Sequence, residues 1–596
     1  MAAQLPVADY DLAAAVVRID GQTIDSAYSL ERIETVKHVN RIPTATLVLL
    51  DGAVDREDFP ISDSSVFLPG KQIEIALGYH DSADVVFKGV VERHGVQVTK
   101  ARGCRLVVSC ADKAAKMTIA RRSAQFDDTS DADTLRTLIS RHGLSDDVDL
   151  AGPSQPQRVQ YYATDWDYVL ARAEANGAIV VVDDGRVSVK KPAPGAADYE
   201  VDFGATLLDI DIEMDARSQL DSVKARRWDA SAQAVVDESA SDPGWNQPGN
   251  VTGDSLAGVY GVSGLALQSA GALSADELKA WADAQLLKSR MARICGRGTI
   301  VGTSKLKVGS FVKLTGVGAR FEGDAFLSRI RHVAEAGVWR TEVSFGLPSQ
   351  WFGQSPADIH APPAGGLAPA ARGLQIGTIK KIDDDPEGQF RVQVVLPLIA
   401  PDGQGLWMRM AKPYASGGFG HYFLPEIGDE VVVGFLDSDP AAPVILGSLH
   451  SSKFKAPFTP EPNNANKAIV TKSQLKIVFD DEKKTILVET PKGQSVLMSD
   501  EDGAVTIKDS NGNQVKMDSA GLTLTSPKNV EITATGSIRI SGDQGVSVQS
   551  SGGDLALKGL NASLNADLAL SAEGSAEAEL KSGGSTTVKG ALVMIN

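Results

Sequence analysis

Over residues 1–125 the chain alternates apolar and polar positions in short runs. Ala45-Thr46-Leu47-Val48-Leu49-Leu50 stops at Asp51-Gly52. Ile73-Glu74-Ile75-Ala76-Leu77 and the stretch from Val91 to Val98 carry further patches of period two. That period puts alternate side chains on one face of a strand. The pattern then changes. Ser130 with Asp133 opens a helix whose stripe is Leu135, Leu138 and Ile139, and Gly143 stops it. Thr164 with Asp167 opens a second, with Trp166, Leu170 and Ala173 on one side and Gly177 at its end. Residues 178–189 read as a hairpin turning at Asp183-Asp184-Gly185. Ser274 and Glu277 form a capping box for a third helix, whose stripe is Ala280, Ala284, Leu287, Met291 and Ile294. Strands return from Gly298 to Phe345. Past the Pro/Ala/Gly stretch 361–372, Phe390, Val392 and Val394 alternate, as do Val431, Val433 and Phe435 after Gly428-Asp429. A unit of this size built from short strands fits a small five-stranded barrel.

The last segment, 467–596, is a repeat. Apolar pairs two residues apart recur as Leu475/Ile477, Ile486/Val488, Val496/Met498, Val505/Ile507, Val515/Met517, Leu522/Leu524, Val530/Ile532, Ile538/Ile540, Val546/Val548 and Leu555/Leu557. Their first members step by 11, 10, 9, 10, 7, 8, 8, 8 and 9 residues, with Gly- and Asn-rich turns between. Phe479 is the one aromatic residue after position 460. Strands this short, with narrow aliphatic faces, enclose no useful core in one chain. Three chains around one axis do. The expectation is a trimeric, intertwined β-prism needle with Val530, Ile532, Ile538, Ile540, Val546 and Val548 in its core. A β-sandwich built by a single chain is the alternative.

Composition narrows the rest. At 596 residues the chain exceeds one hydrophobic core, so three or four domains are expected: 1–360, a linker at 361–372, 373–450, a joint at 451–466, and the needle. The net charge is −17 and no basic cluster exceeds pairs such as Arg121-Arg122, which disfavours nucleic acid as a partner. The three cysteines, Cys104, Cys110 and Cys295, suit buried small hydrophobes better than disulfides or zinc. The N-terminal residues carry Asp9 and Asp11 and no cationic n-region. The expectation is a protein made and assembled in the cytoplasm without a signal peptide, and exported by a machine if it acts outside.

Three groups of motifs, in this order, resemble the spike (VgrG-type) family of contractile injection systems. The first is hub-like: Val39-Asn40-Arg41-Ile42-Pro43-Thr44-Ala45, Asp51-Gly52, Pro69-Gly70-Lys71 and Gly78-Tyr79. The second runs Asp165-Trp166-Asp167-Tyr168, then Arg172-Ala173-Glu174-Ala175-Asn176-Gly177. The third is OB-like: Trp407-Met408-Arg409, the stretch Pro425 to Val431, and Asp439-Pro440 with Pro443 to Leu449. The resemblance implies a mainly β, multidomain chain: phage-hub-like β-barrels with a few helices, an OB-fold barrel and the needle. It implies a homotrimer that meets inner-tube and baseplate proteins, carries effector cargo, and touches the target membrane by mechanical puncture.

Catalytic motifs are missing. HExxH, GxSxG and the Walker A loop do not occur, and the paired acids Asp183-Asp184, Asp383-Asp384-Asp385 and Asp480-Asp481 sit in turns. No catalytic residue, metal ligand or cofactor is expected. A tailspike or adhesin acting on surface polysaccharide is the competing class, disfavoured by the aromatic-poor tail. Some family needles hold a histidine-ligated metal at the apex. Here the last histidine is His450 and the last cysteine Cys295, so the needle should bind no transition metal itself. Its end, Ala591-Leu592-Val593-Met594-Ile595-Asn596, is strand-like and apolar. The resemblance supplies a PAAR-type tip protein as its cap.

Overall fold

The computed structural model describes residues 2–5, 12–80, 82–262, 264–269, 273–354 and 359–595. Residues 1–449 make one compact unit and 450–596 a second.

The first unit is organised by one antiparallel ribbon of eight strands. In spatial order these are Leu207–Met214, Ile294–Val301, Val338–Phe345, Gly323–Glu335, Leu30–His38, Thr44–Leu50, Gly103–Ala111 and Ser82–Thr99. Gln72–Tyr79 and Ala13–Ile19 extend it past Ser82–Thr99. Phe311–Thr315 and Tyr199–Asp202 branch from Gly323–Glu335. Strands from both strand-rich blocks are thus linked in one fourteen-stranded sheet. The reason is a long-range pairing: Leu30–His38 lies against Gly323–Glu335, joining the start of the chain to residues some three hundred positions on. Each block keeps its own core. Ile33, Leu47, Leu49, Ile75, Phe87 and Leu106 fill one, and Val201, Leu207, Ile300, Leu314 and Leu327 the other. His332 lies buried beside the first, its ring 5.7 Å from Trp339 and its Nδ1 3.0 Å from Thr341 Oγ1. Burial pushes it down to about 3, so it is neutral at physiological pH.

The helices form where their caps stand. Ser130, Thr164 and Ser274 accept from the backbone N–H of Asp133, Asp167 and Glu277, opening Asp131–Ser140, Asp165–Ala175 and Ala275–Met291. Gly143 and Gly177 close the first two at φ 65° and 70°. Ile294, counted in the third helix's stripe, instead starts a strand. The hairpin Ile179–Asp183 and Arg186–Lys190 turns at Asp184-Gly185, both at positive φ. His142 hydrogen-bonds Asp165 through Nε2 at 2.8 Å. Cys110 is buried, which raises its thiol to about 12 and leaves it inert.

Residues 361–372 carry a short turn at Pro363–Gly366, and Ala371 N–H donates to Ser438. The closed five-stranded barrel follows, in the order Gln375–Lys381, Val392–Val395, Leu406–Met410, Pro443–Ser448, Glu430–Phe435. Ile379, Val392, Val394, Met408, Val431, Val433 and Ile445 fill it. Among the described residues no helix is long and apolar enough to cross a membrane.

Leu47→Ala should cost about 2–5 kcal/mol, because Leu47 is wholly buried at the centre of the first core. Thr44→Ala, at an exposed site on the same strand, should stay within about 0.5 kcal/mol. Denaturant unfolding followed by tryptophan fluorescence reads this cleanly, since all seven tryptophans lie at or before Trp407.

Candidate association face of the needle

The second unit begins as a ladder of seven antiparallel strands: Asn466–Val470, Lys476–Asp480, Thr485–Glu489, Ser495–Ser499, Ala504–Lys508, Gln514–Asp518 and Gly521–Thr525. Each is five residues long and joined to the next by a short turn. Asp509 organises one turn by accepting from the Asn513 side chain and from the N–H groups of Asn511 and Asn513. The Asn513 side chain is the main reason its carboxyl is pulled down to about 2. Asp500-Glu501-Asp502-Gly503 is another such turn, where Ser499 Oγ donates to Asp502.

Register turns the sequence pairs into a surface. One row across the ladder runs Ile469, Ile477, Val488, Val496, Ile507, Val515, Leu524. A second, two residues away on each strand and so on the same face, runs Phe479, Ile486, Met498, Val505, Met517, Leu522. Of these thirteen side chains ten are exposed in the single chain. The opposite face has one mixed central row: Ala468, Val478, Leu487, Leu497, Thr506, Lys516, Thr523. The expected pairs hold from Ile486/Val488 to Leu522/Leu524. The first is corrected to Ile477/Phe479, because Leu475 lies just before the strand that starts at Lys476. Asn466–Val470 was not expected as a strand. Its Lys467 occupies the apolar row, so the two-apart signal is missing there.

From 526 to 595 the structure changes character. The strands expected at Val530, Ile538, Val546 and Leu555 do not pair within the chain: no strand occurs there and every residue from 527 to 595 is exposed. No main-chain hydrogen bond joins two residues of this stretch. Instead the chain bends at 527–528, 535–536, 543–544, 551–553, 560–561, 567–568, 575–576, 583–584 and 591–592. A bend every eight residues carries the chain round a corner, whereas a hairpin would fold it back on itself, so neighbouring extended stretches cannot zip together. Val530/Ile532, Ile538/Ile540 and Val546/Val548 all fall at one phase of this cycle. The same phase continues through Leu570/Ala572, Ala578/Leu580 and Thr586/Val588, which the sequence reading missed because Ala and Thr replace Val and Ile. At the end, Ala591 and Leu592 form the last bend, Val593, Met594 and Ile595 are exposed, and Asn596 lies outside the described residues. Among the described residues no cluster of His, Cys, Asp and Glu could hold a metal ion.

The hub ribbon has a second, polar face. Arg331 pairs with Glu34 at 2.8 Å and with Glu342 at 2.5 Å, and Arg105 pairs with Glu31 at 2.5 Å. The Arg331 guanidinium holds the Glu34 carboxyl below its ordinary value. Both ends of the ribbon have free edges among the described residues. Leu207–Met214 pairs only with Ile294–Val301 and exposes Asp209, Asp211 and Glu213. Ser82–Thr99 overhangs its neighbour from Glu92 on, with Arg93, Lys100 and Arg102 exposed on that hairpin.

Three family models match this chain. Residues 9–335 match the Alg8 N-terminal domain, over half of the sequence. The chain belongs to that family. Residues 375–450 match the type VI secretion system/phage-baseplate injector OB domain, and 484–556 the phage baseplate V C-terminal trimerisation domain. These last two domains follow one another along the chain, and it is similar in sequence to VgrG-type spike proteins. It is 28% identical over 130 residues to type VI secretion system spike protein VgrG5 of Pseudomonas aeruginosa, covering 20% of this chain and 16% of that one. It is 31% identical over 115 residues to VgrG2a of the same organism, covering 17% and 13%. These matches therefore span under a fifth of either relative's length. Among solved structures, the prophage MuSo2 43 kDa tail protein of Shewanella oneidensis aligns with TM-score 0.43 and 11% identity, over 56% of this chain and 99% of that one. The E. coli c3393 component of the type VI secretion system aligns with TM-score 0.37 and 14% identity, over 73% and 99%.

Val488→Asp should prevent stable self-association, since each copy would bring an unpaired charge into an apolar interface. Thr506→Asp, on the opposite face, should leave association intact. Ile538→Asp and Ser541→Asp should differ in the same sense. Size-exclusion chromatography with light scattering measures all four, and equal behaviour within either pair contradicts the assigned register.

Proposed function

We propose that this chain forms the homotrimeric, non-enzymatic spike and hub of a contractile injection system. It joins the inner tube and baseplate to a puncturing tip, helps breach the target envelope and delivers cargo. The carrying observation is the needle: a two-row apolar face without a partner, followed by seventy residues that make no main-chain to main-chain hydrogen bond with one another. The matched trimerisation domain lies across both. Val530, Ile532, Ile538, Ile540, Val546 and Val548 then line the axis. Two features support the hub half. The ribbon's polar face suits a wet wall, and its free edges carry opposite charge, acidic on Leu207–Met214 and basic beyond Glu92. Such edges favour pairing between neighbouring copies into a ring. Assembly in the cytoplasm and ejection with the particle accord with this role.

The blunt end supports a capping partner. Three copies of Ala591 to Ile595 would present an apolar platform with unpaired main-chain groups, a surface that invites cover. We assign that place to a PAAR-type tip protein.

Light scattering of the full-length protein should give about three times 62.8 kDa. A stable monomer at micromolar concentration contradicts the proposal. Deleting 588–596 should leave the trimer intact and abolish co-purification of the tip protein. Retained tip binding, or stoichiometric zinc or iron in the isolated trimer, would count against the capped end.

A further inference from the structure

The two stretches that carry the hub resemblance, 39–45 and 165–177, are more than a hundred residues apart, yet both line one groove in the first unit. Its volume is about 860 Å3. It lies between the end of the sheet at His38 and Arg329, the helices Asp165–Ala175 and Ala275–Met291, and the segment from Leu347 to Phe352. Trp166, Leu170, Met291 and Leu347 give it an apolar floor.

Its charges do not balance. The single acid in the lining is Glu174, and both its oxygens are occupied: one accepts from Lys288 Nζ, the other from Phe352 N–H at 2.7 Å. Lys288 is occupied too, by Glu174 and the Gln350 carbonyl. That leaves Arg41 and Arg329, beside His38, whose Nδ1 is held by the Val39 carbonyl. Neither arginine's side chain makes an ion pair or hydrogen bond with any described residue, whereas Arg32, Arg105 and Arg331 on the same sheet all have glutamate partners. Arg41 is also fixed in place at its backbone. Asn40 before it, at φ 61°, accepts from Val180 N–H through its side chain and donates its own N–H to the Val180 carbonyl. Arg41 and Arg329 line the groove together with His38, whose pKa is lowered by burial, against the hydrogen bond to the Val39 carbonyl, and further by the two guanidinium charges. Two like charges held beside an apolar floor, with no counter-ion among the described residues, form half of a complementary interface.

We propose that this groove is the docking site for an acidic peptide segment of a partner protein. Its carboxylates pair with Arg41 and Arg329, and an aliphatic or aromatic side chain rests on Trp166, Leu170 and Met291. Carboxylates match the planar, forked donors of arginine, and the floor gives the affinity that surface ion pairs alone lack. The proposal does not depend on the needle, so it stands or falls separately from the trimer.

The test pans a random dodecapeptide display library on the immobilised full-length protein. Enriched peptides are then synthesised with a fluorophore and titrated by anisotropy. The expected peptides carry two or more Asp or Glu around a Leu, Phe or Trp. Their affinity should fall at least tenfold for the Arg41→Ala/Arg329→Ala double variant, which should elute and melt like the parent. It should also fall when the peptide acids become amides, and for Met291→Gln, which keeps the side-chain length and removes the apolar contact. Enriched peptides without acids, unchanged affinity for the double variant, or no enrichment at all would overturn the proposal. Full competition by millimolar inorganic phosphate would overturn it in favour of a small-anion site.

Discussion

Main-chain hydrogen bonding is the constraint on which the rest of the second unit depends. Each residue other than proline carries one N–H and one C=O, and a folded protein leaves few of them without a partner. Residues 466–525 meet that demand locally, since each strand folds back on the one before. Residues 526–595 do not, because a bend every eight residues turns the chain past its own neighbours. Partners must then come from other chains or from water. The repeating apolar pairs decide between these, since Val530/Ile532 and its successors gain little from staying wet. Backbone and side chains make the same demand, and one chain satisfies neither.

The ladder before it meets a different demand. Its inner strands pair on both sides, but apart from Lys467 one face is apolar: thirteen side chains in two rows, each worth about 1.5–3 kcal/mol if fully buried. A face two rows wide is too narrow to fold over itself. It is the right width for one side of a prism whose other sides come from further copies. The two halves of the needle thus call for association on separate grounds, side-chain burial in the first and main-chain pairing in the second.

Much of this was legible from spacing. The pairs from Ile486/Val488 to Leu522/Leu524 lie in register because a strand's period of two is strict, and the helix caps at Ser130, Thr164 and Ser274 are local chemistry. Three things were not legible. Leu475 fits the pair pattern as well as Phe479 does, and only the start of the strand at Lys476 separates them. The shared hub sheet rests on the pairing of Leu30–His38 with Gly323–Glu335, which no local pattern encodes. The groove's unpaired charge was hidden for the same reason. Arg41 and Arg329 belong to distant segments, and an arginine's lack of a partner is a property of the fold around it.

The hub and the needle also differ in how they treat exposed edges. The hub ends its ribbon on strands that keep charge at the edge, Asp209, Asp211 and Glu213 on one side and Arg93 with its neighbours on the other. Charged edges resist indiscriminate pairing and accept a complementary one. The stretch 526–595 has few such guards, and its aliphatic pairs are as open as its main chain. In a lone chain that combination favours aggregation. In a closed prism of three chains it leaves no lateral edge, because each main-chain group faces a neighbouring copy. The segment that is hardest to keep soluble alone is therefore the one that becomes stiffest once assembled, and stiffness is the property a puncturing needle requires.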